Sequence, residues 1–248
     1  FNSDIQINKN SWVPLGNPYP TALKWNDGDW MLDGYAAIAK AWERDIQSYI
    51  DIYPGDIIPA TNGFMGFGEC IGALVYLQMS IPASARVISS TPFLKSAGME
   101  GVFLSVKEKY GKAEQQCNIV LHNEATDSFN KECDSYFNSG YAPQFYAVKG
   151  GEALSTYATR EFSSNTIDLV FIKNNADEFE FILDKTKTSS NITVHLIDLK
   201  TSVSQDLTKN PVYSFTSDVS DDPNRFKLRF GTLGNNETEL SEIPDVYT

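Results

Sequence analysis

Tyr35-Ala36-Ala37-Ile38-Ala39-Lys40-Ala41-Trp42-Glu43-Arg44-Asp45-Ile46-Gln47-Ser48-Tyr49-Ile50-Asp51-Ile52 is the stretch on which the fold turns. Two periods compete in it. Tyr35, Ile38, Trp42, Ile46, Tyr49 and Ile50 recur at helical spacing, while Ile38-Lys40-Trp42 and Tyr49-Asp51-Tyr53 alternate as strands do. With Glu43-Arg44-Asp45 as a turn, the second period makes a hairpin. The flanking sequence is strand-like on both sides, so a hairpin is expected.

Upstream, Ser11-Trp12-Val13-Pro14-Leu15-Gly16-Asn17-Pro18-Tyr19-Pro20 ends an apolar run in a corner that no helix can cross. Each proline fixes φ and removes a backbone donor, and the residue before it is pushed to extended backbone. Trp12 and Trp25 are expected to pin this corner to a core. Ile5-Gln6-Ile7 alternates as a short strand. Downstream, Pro54-Gly55-Asp56 is a turn, and Gly63-Phe64-Met65-Gly66-Phe67-Gly68 suits a strand with a bulge or a close backbone approach. It lacks the Gly-Lys-Ser/Thr of a phosphate loop. Residues 73–81 and 85–88 add strands, and Ser, Thr, Pro and Gly gather at 91–98 as a boundary.

Beyond that boundary, strands are expected at 102–106, 118–122, 144–148, 166–172, 178–183, 193–198, 213–216 and 225–230. Lys149-Gly150-Gly151, Lys173-Asn174-Asn175 and Ser189-Ser190-Asn191 carry hairpin-turn chemistry. Val194, Leu196, Phe226, Leu228 and Phe230 should face inward, with His195, Lys227 and Arg229 outward. The expected fold class is all-β, as two packed β-sandwich domains of jelly-roll or Ig-like, Greek-key type. Residues 1–95 form the first, which is expected to be incomplete; 96–232 form the second; 233–248 are a polar linker.

The chain has 248 residues, enough for a full core, and a formal net charge of −12. That balance argues against nucleic acid and anionic membrane surfaces, which reward basic patches. No apolar run reaches the length of a membrane span, so no membrane insertion is expected. Phe1-Asn2-Ser3-Asp4 reads as an interior cut, with a targeting segment expected upstream. Cys70, Cys117 and Cys133 contain no Cys-x-x-Cys, so zinc has no support. A Cys117–Cys133 disulfide with Cys70 as a buried thiol, and three reduced cysteines, both remain open.

Chemistry is sparse. His122 and His195 have no ligand partners at suitable spacing, and no Gly-x-Ser-x-Gly elbow is present. Asp27-Gly28-Asp29-Trp30-Met31-Leu32-Asp33 is the richest constellation. Its oxygens suit calcium through Asp27, Asp29 and Asp33, although the full ligand spacing and a closing glutamate are missing, and a solvated turn is the plainer reading. Trp30, Tyr35 and Trp42 are the candidates for stacking on a sugar face. Ser217-Asp218-Val219-Ser220-Asp221-Asp222 is a second acidic loop, read as an exposed hairpin tip.

In order and spacing, several pieces resemble one family. They are Gly16-Asn17-Pro18-Tyr19-Pro20 with Trp25; Ile58-Pro59-Ala60 leading to Gly63-Phe64; Ile81-Pro82-Ala83-Ser84-Ala85-Arg86; and Ala125-Thr126-Asp127-Ser128-Phe129. Further on come Ala142-Pro143-Gln144-Phe145-Tyr146, Gly150-Gly151-Glu152-Ala153-Leu154-Ser155, Val212-Tyr213-Ser214-Phe215 and Asn224-Arg225-Phe226-Lys227-Leu228. Together they resemble the β-sandwich region that precedes the C-terminal sorting domain in type IX secretion cargo of Bacteroidetes. Ile243-Pro244-Asp245-Val246-Tyr247 is similar to the join before that sorting domain. The resemblance implies export, a secreted or cell-surface address and a modular parent whose other domains are partners. It implies no catalytic residues, because the shared pieces are turn and core residues.

The expected function is therefore a non-catalytic extracellular module for carbohydrate binding, adhesion or domain spacing, with a glycan or cell-surface partner. No cofactor is expected beyond calcium. A glycan-degrading hydrolase or lyase using paired carboxylates is the alternative from another class. A purely structural module that supports secretion is the third.

Overall fold

The computed structural model describes residues 2–70, 75–88, 99–162 and 166–232. Among them there is no α-helix; one 3₁₀ turn, Ala83–Ala85, interrupts the strands. The boundary expected at 91–98 and the tail from 233 onward lie outside the described residues.

The first strand set is β1 (Asn2–Ile7), β2 (Ser11–Gly16), β3 (Ala22–Lys24), β4 (Met31–Asp33), β5 (Ala39–Glu43), β6 (Ser48–Ile52), β7 (Ile57–Ile58), β8 (Gly63–Gly68), β9 (Val75–Ser80) and β10 (Arg86–Val87). The fold-deciding stretch is a hairpin: β5 pairs with β6 in antiparallel register, Lys40 opposite Asp51 and Trp42 opposite Tyr49. The turn falls at 44–47 and closes with Gln47 at φ 55°. Three small sheets result, in the orders β2-β8-β5-β6, β1-β9-β4 and β10-β3-β7. They share a core around Trp25, Leu23, Tyr35, Ile58 and Leu77.

The proline corner works through Asn17. Its side-chain amide donates to the carbonyls of Thr21 (2.8 Å) and Pro59 (3.0 Å), and its Oδ1 accepts from the Tyr19 N–H. One buried amide thus replaces the ladder bonds that Pro18 and Pro20 cannot make. Trp25 is fully buried and donates its indole N–H to the Ala37 carbonyl at 2.8 Å. Trp12 is half-buried, edge-on to Phe67.

The second set is β11 (Gly101–Glu108), β12 (Glu114–Leu121), β13 (Ser135–Tyr136), β14 (Gln144–Lys149), β15 (Glu152–Thr159), β16 (Thr166–Ile172), β17 (Glu178–Leu183), β18 (Ile192–Asp198), β19 (Val203–Asp206), β20 (Val212–Thr216) and β21 (Phe226–Thr232). These form one sheet in the order β19-β18-β21-β16-β14-β15-β12-β11-β17-β20, with β13 attached to β15. All its pairings are antiparallel except β12 with β15. The sheet curls until its two halves share one core, so that Phe181 of β17 meets Phe226 of β21 at 4.7 Å and Phe145 of β14 at 5.2 Å. Its ends come together through side chains: Gln205 of β19 donates to the Val212 carbonyl of β20, and the Tyr213 hydroxyl donates to Asp198 of β18. The outcome is a near-closed, barrel-like sheet.

Val194, Leu196, Phe226, Leu228 and Phe230 face inward as their alternation requires. Gly150 and Gly151, at φ 58° and 88°, make the tight turn between β14 and β15. The other two turn signals behave differently. Residues 173–175 link β16 to β17, and residues 189–191 link β17 to β18, which are not neighbours in the sheet. They are crossings between the two walls, not hairpins.

Candidate functional site

Among the described residues no ladder joins the two strand sets. They meet along a seam where the β5–β6 hairpin lies against β12, β13 and β15. Ala39 and Ala41 point into the first core, which leaves Lys40 facing the second set. On β6 the partner in register is Asp51.

Lys40 and Asp51 form an ion pair with side chains 1% and 2% exposed. Asp51 accepts further bonds from Thr156 Oγ1 (2.7 Å), Ser155 Oγ (2.9 Å) and Ser135 Oγ (3.1 Å). Lys40 Nζ also donates to Ser155 Oγ at 2.7 Å and lies 5.2 Å from the Trp12 ring. Because the Thr156 hydroxyl spends its proton on Asp51, the Tyr53 hydroxyl 2.8 Å away donates to Thr156, and it accepts from Asn118 Nδ2 at 2.7 Å. Ser48 donates to Gln115 Oε1 at 2.5 Å. Backbone bonds run alongside, from Ala37 N–H to the Lys131 carbonyl and from Glu114 N–H to the Ile46 carbonyl.

Burial works to raise the Asp51 carboxyl. The Lys40 ammonium and the Lys40, Thr156 and Ser155 hydrogen bonds outweigh it and hold Asp51 below the ordinary carboxylate range. Tyr53 is pushed well above the ordinary tyrosine value, first by burial and then by the Asp51 charge. Burial pushes the Cys117 thiol up to about 12. The seam thus holds a saturated, ionised carboxylate and a protonated tyrosine, while the protonated Cys117 thiol lies in the adjoining barrel core with its Sγ 3.7 Å from the Leu154 carbonyl. Each is held in one protonation state across neutral pH, and the bonds to Asp51 tie the two strand sets to one another.

At the seam's rim the same face turns aromatic. Trp42, two residues along from Lys40, is 40% exposed; its register partner Tyr49 meets it edge-on at 5.1 Å. Tyr141, 78% exposed, meets it from the second set at 5.9 Å. The Tyr141 N–H is tied to the Gln47 carbonyl. A Cβ on Gly140 would stand 2.9 Å from both the Trp42 ring and that carbonyl, so a residue without a side chain is needed there.

The other sequence candidates fall elsewhere. Trp30 is half-buried, edge-on to Trp25, with its indole N–H on the Lys24 carbonyl. Tyr35 is 2% exposed and belongs to the first core. Asp27, Asp29 and Asp33 are exposed, and Asp27 pairs with Lys24 at 2.7 Å. Among the described residues no group of three or more His, Cys, Asp or Glu is placed to hold a metal ion. Cys117 and Cys133 are separate buried thiols, and Cys70 is half-buried. In the second acidic loop, Asp221 pairs with Lys200 and Arg225.

Sequence reasoning missed the second set's share of the seam: Asn118, Ser135, Ser155 and Thr156. The readable signal was a lysine and an aspartate in register on a hairpin otherwise lined with alanine and isoleucine. No family model, curated protein or solved structure matches the chain. No helix of the described residues is long and apolar enough to cross a membrane.

Proposed function

We propose that the chain is a non-catalytic β module of an exported, secreted or cell-surface multidomain protein, and that it binds carbohydrate at the seam's rim. In this reading the two strand sets are two sandwich-like domains locked together, and the rigid pair also spaces neighbouring domains of its parent. The observation that carries the binding role is the rim itself: Trp42 and Tyr141 stay exposed, come from different strand sets, and are fixed by backbone bonds on a saturated polar base. Flat aromatic rings held rigidly beside polar groups are suited to the apolar faces of sugar rings. The exported address rests on the sequence resemblance, and the acidic surface supports solubility outside the cell.

The test is titration of the full chain against a broad glycan array, with Trp42→Ala and Tyr141→Ala as controls. Binding to at least one glycan class, weakened about tenfold or more by either variant, is expected. Flat titrations across the array would remove the carbohydrate role and leave the spacer.

A further inference from the structure

A second feature lies further along β15, past the residues that meet the seam. A cleft of about 440 Å³ opens between the end of β15 and the start of β16, within the size range of small-ligand sites. Tyr157, Arg160, Asp127, Glu161, Thr166 and Phe230 are among the residues that line it. Among the described residues, Arg160 and Asp127 have no ion-pair partner, so a guanidinium fork and a carboxylate face the same space unspent.

The floor is held from below by a buried ion pair. Lys149 and Asp134, 1% and 0% exposed, pair at 2.8 Å. Lys149 donates to the Ala158 carbonyl (2.7 Å) while Asp134 accepts the Ala158 N–H (2.7 Å), so both backbone groups of the residue between Tyr157 and Thr159 are clamped. Lys149 also covers one face of the Tyr157 ring, 4.5 Å from its centroid. A buried pair is a weak source of net stability. What it supplies here is position: the strand that presents Tyr157 and leads to Arg160 cannot shift.

We infer that this cleft is a second ligand site, for a neutral saccharide. The charges chosen for the lining decide the class. One cation against two carboxylates leaves the lining slightly acidic, which disfavours an anion, while the Arg160 guanidinium disfavours a simple cation. A polyol suits it, since hydroxyls donate to Asp127 and Glu161 and accept from Arg160, while Tyr157 and Phe230 give an apolar wall. The ligand class rests on the proposed carbohydrate function; the location does not.

The experiment is a set of ¹⁵N–¹H correlation spectra of the full chain with millimolar maltose, cellobiose, lactose or N,N′-diacetylchitobiose, for the parent and for Arg160→Ala, Asp127→Asn and Trp42→Ala. The expected result is a shift of the Asp127 and 157–161 amides with at least one sugar, weakened about tenfold by Arg160→Ala or Asp127→Asn and unchanged by Trp42→Ala. Both cleft variants alter exposed side chains, and their dispersed spectra will report that they fold. Silent cleft amides with all four sugars would overturn the site, as would shifts indifferent to both cleft variants. Shifts confined to the Trp42 indole would overturn it too, while leaving the rim site standing.

Discussion

Two buried regions of this molecule solve opposite problems. The core of the barrel-like sheet is dry: Phe145, Phe171, Phe179, Phe181, Phe215 and Phe226 pack edge-to-face or stacked at about 5 Å, and hydrophobic burial accounts for their cohesion. The seam between the strand sets is equally hidden but polar, with a lysine, an aspartate, a tyrosine and four hydroxyl or amide side chains satisfying one another. An apolar core tolerates repacking, because dispersion and burial are weakly directional. A saturated hydrogen-bond network accepts one register only, since a shift of one residue orphans every donor. Stability here comes from the phenylalanine core, while the relative placement of the two sets comes from the seam.

The largest effects are expected from breaking each region at its centre. Asp51→Ala strands Lys40 as an unpaired buried charge and should cost about 3–5 kcal/mol in urea unfolding. Phe181→Ala should cost a similar amount, about 3–5 kcal/mol, by opening a cavity among the rings of Phe145, Phe215 and Phe226. The two differ in repair. The paired change Lys40→Met with Asp51→Leu should recover part of the loss, because an apolar pair removes both desolvated charges, while the Ser135, Ser155 and Thr156 hydroxyls that lose Asp51 keep the repair incomplete. No single second change should rescue Phe181→Ala. If the double variant is no better than Asp51→Ala, the seam is not an ion-pair network in its energetics.

A smaller loss, about 1–3 kcal/mol, is expected for Asn17→Ala, which removes the bonds that the Asn17 amide makes to the Thr21 and Pro59 carbonyls and accepts from the Tyr19 N–H. Replacing Asn17 by Asp should not restore it, since a carboxylate cannot donate to two carbonyls.

Acid sharpens the comparison from another side. Burial works against the Asp198 carboxylate, yet the bidentate Arg225 bonds and the Tyr213 hydroxyl bring it down to about 2. An unfolded aspartate titrates near about 3.9. The folded value is the lower one, so this group's contribution is complete above about pH 4 and disappears as pH falls toward about 2. Asp51, also lowered, acts in the same direction. Thermal midpoints should therefore fall between about pH 4 and pH 2, and Asp198→Asn should flatten that slope. A slope unchanged in the variant would count against the Arg225–Asp198 pair as its source.

The smallest effect concerns thiol chemistry alone. Burial drives Cys117 to about 12 and, with the Asp134 charge, Cys133 to about 11. Under native conditions at neutral pH a thiol reagent should modify Cys70 and spare the other two, with three thiols appearing in denaturant. A single thiol in denaturant would instead mean that Cys117 and Cys133 are bonded.

Much of the architecture was legible in the sequence because alternation and turn chemistry are local. Val194-Leu196 and Phe226-Leu228-Phe230 declared their buried faces, and the corner at Asn17 declared itself by its prolines. What escaped was non-local. β15, which reads Glu-Ala-Leu-Ser-Thr-Tyr-Ala-Thr, carries polar residues at Ser155 and Thr156 on a buried face, so its pattern does not look like a core strand. It is nonetheless the strand that meets the seam. The turns at 173–175 and 189–191 are chemically hairpin-like, and only closure of the sheet makes them crossings. The candidate site was half visible for the same reason: Trp42, Lys40 and Asp51 are local to one hairpin, whereas Tyr141, Ser155 and Thr156 reach it only through the tertiary fold.

The seam is expected to make the two strand sets one cooperative unit. All four tryptophans, Trp12, Trp25, Trp30 and Trp42, belong to the first set, so their fluorescence follows that set while hydrogen exchange of the β17 and β21 amides follows the second. In urea the two signals should change at one midpoint in the parent chain and at two separate midpoints in Asp51→Ala. Two midpoints in the parent itself, or one in both chains, would contradict the account.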